Sequence, residues 1–364
     1  MADEARKTLF LRAGTAFDRH NLAMAFSALE IGDPYSVVLT YDARLSQPWG
    51  RVDMERDVYS IVPDVERADP VFYYALSNVG DVYHVGPNGA TREHIPGAGM
   101  KGDGAAIGPV YRLVWAGGRL HALGGDNLIF RRDEDGWRNI SPDIARPEGK
   151  EAPSWSMVLE LAPDRTLLVG SIRATHPGLT RSLDWARNGM PKMSAEEFLA
   201  TINADRTRHY AESPLDPLGL LLVRDEDDIR PVPLPQKGGL NAALRARDGT
   251  IWLTGKNGQI LHGGDGLDFV ALAADPQRSF GAMAETGDGI VVMSDKGLWV
   301  ISEGTLRPFG PELAPGQRGE MLSPVEMASI PEGVVVFDSH HRVYLWDGDV
   351  WTSLEVPGHL LAAV

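Results

Sequence analysis

The C-terminal third of the chain contains three copies of one sequence pattern, and this repeat constrains the fold more than any single residue does. The copies begin near Ala243, Ala282 and Glu326. In each copy an alternating segment ends at a glycine turn, and an apolar segment follows (TIWLTG, IVVMSD or VVVFDS), with two more strand-like segments after it. Glycine supplies the positive φ angle that tight hairpin turns require. Each copy is therefore predicted to form four antiparallel strands.

The spacing of the copies identifies the type of repeat. The equivalent turn glycines Gly249, Gly289 and Gly333 are 40 and 44 residues apart. This spacing lies in the range of about 40 to 50 residues that is typical of β-propeller blades. Weaker copies begin at Phe72 and Arg112. The pattern therefore predicts an all-β propeller.

The number of blades depends on two irregular regions. One copy starts at Leu159, is interrupted, and resumes at Leu218, and the faintest candidate extends from Phe26 to about Val62. Counting the faint copy gives seven blades and omitting it gives six. Seven is favoured because six would leave the first stretch of about 60 residues without a packing partner, and each repeat needs neighbours on both faces. The apolar segment KTLFLRA near the start is expected to pair beside the final blade, which ends near HLLAAV, so that the terminal strands share one blade and close the ring.

Composition agrees with one propeller domain spanning residues 1–364. The chain has 40 Gly and 25 Pro, which punctuate many short strands. Closed repeat arrays exceed the usual size of a single domain, so the length does not require two or three domains. No apolar run is long enough to span a membrane, and the N-terminal segment lacks the features of a secretion signal, so a cytoplasmic location is expected. The chain has no Cys, which excludes disulfides and thiolate chemistry.

Some turns resemble those of known propeller families. The segment DGTIWLTGKNGQI (248–260) resembles the bacterial propeller repeat of the sensor regions of hybrid two-component regulators. The segments DEDGWRNI (133–140) and WDGDVWTSL (346–354) resemble degenerate Asp-box turns of sialidase-like and photosystem-assembly-factor-like propellers. In those families the Asp-box folds a hairpin outside the active centre, so the resemblance implies architecture and no activity. The Arg triad of sialidases and the repeated marks of WD repeats have no counterpart, so function must come from sites carried on the fold.

Histidines are the weak candidates for catalysis. If the strand ends that carry His84, His121 and His262 face the central channel, these rings could form an acid–base cluster beside Asp81 or Asp265. This is the alternative function: an enzyme of hydrolase or lyase type, or a small-ligand binder, centred on the channel. The other interpretation is that these histidines simply bond to backbone or water. No metal-ligand spacing is present, so no metal and no cofactor are predicted, and an enzymatic activity is less favoured than binding.

Net charge indicates the class of partner. The chain has 50 acidic and 35 basic residues and a net charge of −15. Such a field disfavours nucleic acid and anionic lipid and favours a basic protein partner. Asp225 and Asp227 lie in an acidic hairpin tip and are candidate binding residues.

An insertion interrupts one blade at residues 173–215. Ser194 and Glu197 have the spacing of a capping box, which predicts a short helix and hence a partly helical insertion. An insertion of this length inside a repeat is usually functional or disordered. It is expected to act either as a recognition arm or as a lid on the propeller itself. It contains residue types that are enriched at interface centres, and the binding candidates among them are Trp185, Arg187, Met193, Phe198 and Tyr210.

These observations together predict a cytoplasmic, acidic β-propeller of bacterial type that binds another protein. An assembly factor fits this description, and so does an immunity-like or antitoxin-like inhibitor of a basic partner.

Overall fold

The chain forms a seven-bladed β-propeller in the computed structural model. Each blade is a four-stranded antiparallel sheet whose strands follow one another in chain order. The predicted fold class and the preferred blade count are therefore confirmed. The structure describes these residues: 9–28, 35–77, 79–87, 89–99, 108–144, 151–173, 194, 197, 200–201, 204, 217–226, 228–272, 274–294, 297–311 and 323–362.

The first three blades come from the N-terminal part of the chain. Blade 1 contains β1 (Leu9–Ala16), β2 (Asn21–Ala28), β3 (Ser36–Asp42) and β4 (Trp49–Met54). Blade 2 contains β5 (Val58–Ala68), β6 (Val71–Ser77), β7 (Asp81–Gly86) and β8 (Gly89–His94). Blade 3 contains β9 (Val110–Ala116), β10 (Arg119–Gly124), β11 (Ile129–Asp133) and β12 (Gly136–Asn139).

The remaining four blades follow in the same order. Blade 4 contains β13 (Ser154–Ala162), β14 (Arg165–Ile172), β15 (Leu218–Asp225) and β16 (Asp228–Pro231). Blade 5 contains β17 (Leu240–Arg245), β18 (Ile251–Gly255), β19 (Ile260–Gly263) and β20 (Val270–Ala271). Blade 6 contains β21 (Phe280–Thr286), β22 (Gly289–Ser294), β23 (Gly297–Ser302) and β24 (Thr305–Phe309). Blade 7 contains β25 (Pro324–Ile330), β26 (Gly333–Asp338), β27 (Arg342–Trp346) and β28 (Trp351–Glu355). A short 3₁₀ helix, Gly358–Leu361, follows.

The first strand of each blade lines the centre of the ring. Neighbouring first strands contact each other around the whole circle, including β1 with β25. The expectation that the two termini share one blade is wrong, because β1 is the first strand of blade 1 and β25 to β28 complete blade 7 by themselves. An apolar alternating strand fits an inner position as well as a closing outer position, so the pattern alone did not distinguish them.

Side-chain packing between blades closes the ring. Leu22, Phe26 and Val37 of blade 1 are buried in one cluster with Val335 and Phe337 of blade 7. Gly14 lies directly against the ring of Phe337, where any side chain would overlap it. Similar apolar clusters fill the spaces between the other blades. The core is therefore distributed between blades, as expected for a repeat whose units cannot bury their faces alone.

Residues 173–217 connect β14 to β15, which pair with each other from Arg165–Asp225 to Ile172–Leu218. Most of this connection lies outside the described residues. Ser194 and Glu197 form the expected reciprocal hydrogen bonds, with the Ser194 amide donating to Glu197 Oε2 (2.8 Å) and the Glu197 amide donating to Ser194 Oγ (3.1 Å). Glu197, Ala200, Thr201 and Ala204 have α-helical backbone, but the described residues define no continuous helix, so the partly helical insertion stays a prediction.

Chain direction assigns every connection to one of two faces. Because the strands of a blade are antiparallel and consecutive, the turns after its first and third strands lie on one face. The connection between the second and third strands, and the connection to the next blade, lie on the opposite face. We call these the turn face and the connection face. No helix in the described part of the chain is long and apolar enough to span a membrane.

Candidate functional site

The three histidines proposed from the sequence lie outside the inner strands. His84 and His262 occupy equivalent places on the third strands β7 and β19, and His121 lies on the second strand β10. They belong to blades 2, 5 and 3, so the structure does not bring them together. The channel is lined by first strands, and the expectation that these side chains converge there is not met.

His84 is held in an aromatic stack. Its ring lies between those of Phe72 and Tyr74, with both pairs of centroids 4.7 Å apart and the planes nearly parallel. Its Nε2 is 2.9 Å from Oδ2 of Asp64, which is buried. Asp81, the carboxylate suggested beside it, instead contacts Nδ1 of His94 at 2.9 Å. These contacts give His84 a packing role in blade 2.

His262 has a similar cross-strand role in blade 5. It pairs with Trp252 on the neighbouring strand, and the two rings stack with centroids 4.9 Å apart. A shallow open depression beside it is also lined by Asp248, Asp265 and Asp268. The carboxylate of Asp265 is paired with Arg245 at 3.2 Å. His262 thus lies at the edge of an open, solvated depression, and its ring packs against Trp252.

His121 is a buried neutral histidine. Its Nδ1–H donates to the carbonyl oxygen of Arg119 at 3.0 Å, which fixes the tautomer. Burial lowers its pKa to about 4, because the charged ring would lose its hydration. It is 5% exposed and therefore inaccessible to a substrate. Among the described residues, no group of three or more His, Asp or Glu side chains is arranged to hold a metal ion.

The structure describes one of the seven binding residues proposed from the sequence, Asp225. Trp185, Arg187, Met193, Phe198 and Tyr210 of the insertion, and Asp227 of the hairpin tip, lie outside the described residues. Asp225 is described: its carboxylate pairs with Arg165 at 2.9 Å and Arg230 at 2.8 Å. It lies at the turn-face end of β15, whereas the insertion joins the opposite end of that strand. Seven residue steps separate the two ends, roughly 23 Å at the usual rise of a strand.

Exposed carboxylates dominate the turn face. They occur in the turns of blades 2 to 7: Asp69, Glu134, Asp135, Asp164, Glu226, Asp248, Asp265, Asp268, Asp288, Glu303, Glu332, Asp347 and Asp349. Across the described turns of all seven blades on this face, the exposed basic residues are Arg19, Arg44 and Arg247. Two of these belong to blade 1, so negative charge prevails across the other six blades. We call this surface of blades 2 to 7 the acidic turn face.

Some of these carboxylates hold their own turns. Asp248 accepts a hydrogen bond from the Thr250 amide at 2.8 Å, and Asp347 accepts one from the Val350 amide at 2.9 Å. Backbone hydrogen bonds of this kind lower the pKa of both carboxyl groups. By contrast, within the described residues no hydrogen bond or ion pair engages the carboxylates of Glu134, Asp288 and Glu332. The carboxylate of Asp268 is also exposed on this face.

The central channel contains a cavity of about 390 Å³ between the inner strands β1, β5, β9, β13 and β25. Its ionisable lining residues are Arg112 on β9 and Glu326 on β25. Neither residue was among the site residues predicted from the sequence. Arg112, Ala282 and Glu326 each lie seven residues before the start of the second strand of their blade. Aligning these three repeats by this strand places both charges at the inner position that Ala282 occupies in blade 6.

Comparison with known proteins identifies the fold. No protein-family model matches the chain, and no curated protein matches it. Among solved structures the chain is similar to the WD40 β-propeller domain of Doa1, with a TM-score of 0.56 and 12% identity over 92% of this chain and 94% of that one. The match arises although the WD marks do not recur in this sequence.

Two other solved structures show the same fold. The extracellular domain of a one-component system from B. thetaiotaomicron matches with a TM-score of 0.52 and 10% identity, covering 95% of this chain and 38% of that one. YCF48 bound to D1 peptide matches with a TM-score of 0.51 and 10% identity, covering 92% and 90%. At these identities the likeness concerns the β-propeller fold alone.

Proposed function

We propose that the protein is a protein-binding module that holds a basic partner on its acidic turn face. The observation that carries this proposal is the recurrence of exposed carboxylates on one face of six successive blades. A surface of one sign steers a partner of opposite sign and speeds its association. The net charge of −15 acts in the same direction.

The fold is compatible with this role. The similar propeller YCF48 has been solved with a bound D1 peptide. A rigid ring of short turns presents side chains at fixed positions, so little ordering entropy is lost when a partner binds. In this proposal the protein acts in the cytoplasm, either as an assembly factor for the basic partner or as its immunity-like inhibitor.

Unengaged carboxylates are the best contact candidates. Glu134, Asp288 and Glu332 come from blades 3, 6 and 7, so a partner that contacts all three must span much of the face. Their side chains hold no turn together in the described structure, so their charge can be changed without loss of the fold. The insertion is attached where β14 ends and β15 begins, which is on the connection face, opposite these carboxylates.

Cross-linking in native cells with mass-spectrometric detection tests the proposal. The bait proteins are the wild type, the triple variant Glu134→Lys/Asp288→Lys/Glu332→Lys, and a control variant Glu55→Lys/Asp143→Lys. The control residues are exposed acidic residues of the connection face. We expect basic proteins that cross-link to the wild type and to the control to be lost with the triple variant. An identical set of cross-linked proteins for all three baits would contradict the proposal.

A second bait separates the turn face from the insertion. Replacing residues 174–216 with a short Gly-Ser bridge keeps β14 and β15 intact, and changing the length of a loop costs little free energy. We expect this bait to retain the turn-face partners. If it loses them while the triple charge variant keeps them, the interface lies on the connection face instead.

A further inference from the structure

The channel cavity contains one cationic and one acidic side chain that do not pair with each other. No ion pair joins Arg112 and Glu326, although both line the same space. The described residues provide no hydrogen bond to the guanidinium of Arg112. Glu326 Oε1 accepts a long hydrogen bond of 3.4 Å from the amide of Met327. Two ionisable groups thus face one cavity with their binding capacity largely unused.

Arg112 and Glu326 are both half-buried, so the protein replaces part of the hydration of each charged group. Burial raises the pKa of Glu326, and the charge of Arg112 opposes that rise only in part. A charge surrounded by protein costs free energy unless it is paired and hydrogen-bonded. The remaining wall is apolar or carries hydroxyl groups, with Ile61, Val114 and Met157 among the apolar members.

We propose that this cavity binds a small zwitterion of the α-amino acid class. The ligand carboxylate pairs with the guanidinium of Arg112, whose planar fork matches a carboxylate. The ligand ammonium pairs with the carboxylate of Glu326, and the ligand side chain lies against the apolar wall. A volume of about 390 Å³ is at the lower end of the range for small-molecule sites, which suits a ligand of this size.

The charge of the protein favours a zwitterion over a simple ion. A simple anion would satisfy Arg112 alone, and the net charge of −15 would oppose its approach. A simple cation would satisfy Glu326 and leave Arg112 unpaired. A zwitterion is neutral overall and satisfies both groups. Ser329, an exposed lining residue near the end of β25, lies where the cavity meets solvent on the turn face.

Calorimetry with matched ligands tests the assignment. The probes are leucine, phenylalanine and glutamine, and the controls for leucine are leucinamide, which lacks the carboxylate, and 4-methylpentanoate, which lacks the ammonium group. We expect saturable binding of at least one amino acid. Leucinamide and 4-methylpentanoate should each bind at least about tenfold more weakly than leucine, because each has lost one charge-assisted pair. Absence of binding by all three amino acids, or equal binding of leucine and both analogues, would overturn the proposal.

Two variants locate the site. Arg112→Gln and Glu326→Gln should each weaken amino acid binding at least about tenfold, with Arg138→Gln, an exposed arginine outside the channel, as the matched control. Circular dichroism and melting curves establish that each variant is folded. Since Glu326→Gln removes a half-buried acid whose charged form its surroundings disfavour, we expect it to melt no lower than the wild type. Binding that persists in both folded channel variants would place any amino acid site elsewhere and refute the assignment.

Discussion

The two faces of the propeller are formed by opposite ends of the same strands, but they differ in the length of the connections between those strands. On the turn face every connection has between two and six residues. On the connection face the lengths vary, up to the 45 residues between Ile172 and Leu218. Short hairpin turns fix the direction of their side chains, so a repeated turn produces a repeated surface. The turn face is therefore where a sequence repeat becomes a continuous charged surface.

The turn face also shows that acidic residues have two different roles. Asp18 Oδ1 accepts hydrogen bonds from the amides of His20 (2.7 Å) and Asn21 (2.8 Å), and so holds the first turn of blade 1. Glu332, in a turn of the same face, holds nothing in the described structure. Part of the negative charge thus follows from turn chemistry, in which Asp is favoured because it bonds to the backbone ahead of it. The rest is available for a partner.

The largest expected difference between the faces is the loss of stability caused by substituting two glycines of blade 6, one on each face. Gly289 begins β22 on the turn face, and Gly297 begins β23 on the connection face; their φ angles are 130° and 126°. A Cβ at Gly289 would overlap the carbonyl oxygen of Ile301, whereas a Cβ at Gly297 would meet open space. We expect Gly289→Ala to lower the free energy of unfolding by about 3 kcal/mol and Gly297→Ala by about 1 kcal/mol.

Urea denaturation of the two glycine variants measures this difference. Equal losses would show that backbone conformation alone determines the cost and that the close approach at the turn face is unimportant.

The buried histidine His121 makes the stability of the fold depend on pH. His121 titrates near 6.5 in an unfolded chain, while burial lowers its folded pKa to about 4. Its contribution to stability is complete above about pH 6.5 and is lost as the pH falls from there toward about 4. Between pH 7 and pH 5 we expect a loss of about 2 kcal/mol from this group.

The variant His121→Asn isolates that contribution. Asparagine does not titrate and its amide can still donate to the carbonyl of Arg119. We expect the difference in unfolding free energy between pH 7 and pH 5 to be smaller in His121→Asn than in the wild type by about 2 kcal/mol. An unchanged pH dependence would show that His121 is accessible to protons in the folded state.

The smallest expected effect is a difference in stability between removing a carboxylate that holds its turn and removing one that does not. Asp18→Ala removes the acceptor for two backbone amides and should cost about 1 kcal/mol of stability. Glu332→Ala removes an exposed side chain and should change stability by less than about 0.5 kcal/mol. Thermal and urea unfolding of the pair measure both values. A larger loss for Glu332→Ala would mean that this residue supports its turn and is a poor choice for testing partner binding.

Much of the fold could be predicted because turn chemistry is local. The glycine turns at Gly249, Gly289 and Gly333 start the second strands or lie just before them, as the repeat indicated. The start of blade 2 is harder to predict. The copy that begins at Phe72 corresponds to the second strand of this blade, and the first strand, β5, precedes it. That first strand contains charged residues and a proline, which hide its alternation. Ring closure could not be read locally, since it depends on packing of Gly14 against Phe337 across 323 positions of sequence.

The candidate sites were harder to predict. The sequence showed that His84 and His262 end equivalent strands, but it did not show that third strands lie away from the channel. It named residues of the insertion and Asp225 as binding candidates without considering which end of β15 each of them adjoins. Arg112 and Glu326 are single charges within short apolar strands, and only an alignment of the blades in three dimensions shows that they face one cavity.

The most direct test of the central claim is the salt dependence of partner association. For a partner recovered by cross-linking, we would measure the association rate constant from low to physiological salt with the wild type, the triple variant Glu134→Lys/Asp288→Lys/Glu332→Lys, and the control Glu55→Lys/Asp143→Lys. We expect the rate constants of the wild type and the control to fall steeply with salt, and that of the triple variant to be at least about tenfold lower at low salt with a shallow dependence. A wild-type rate constant independent of salt, or equal rate constants for the wild type and the triple variant, would contradict recognition through the acidic turn face.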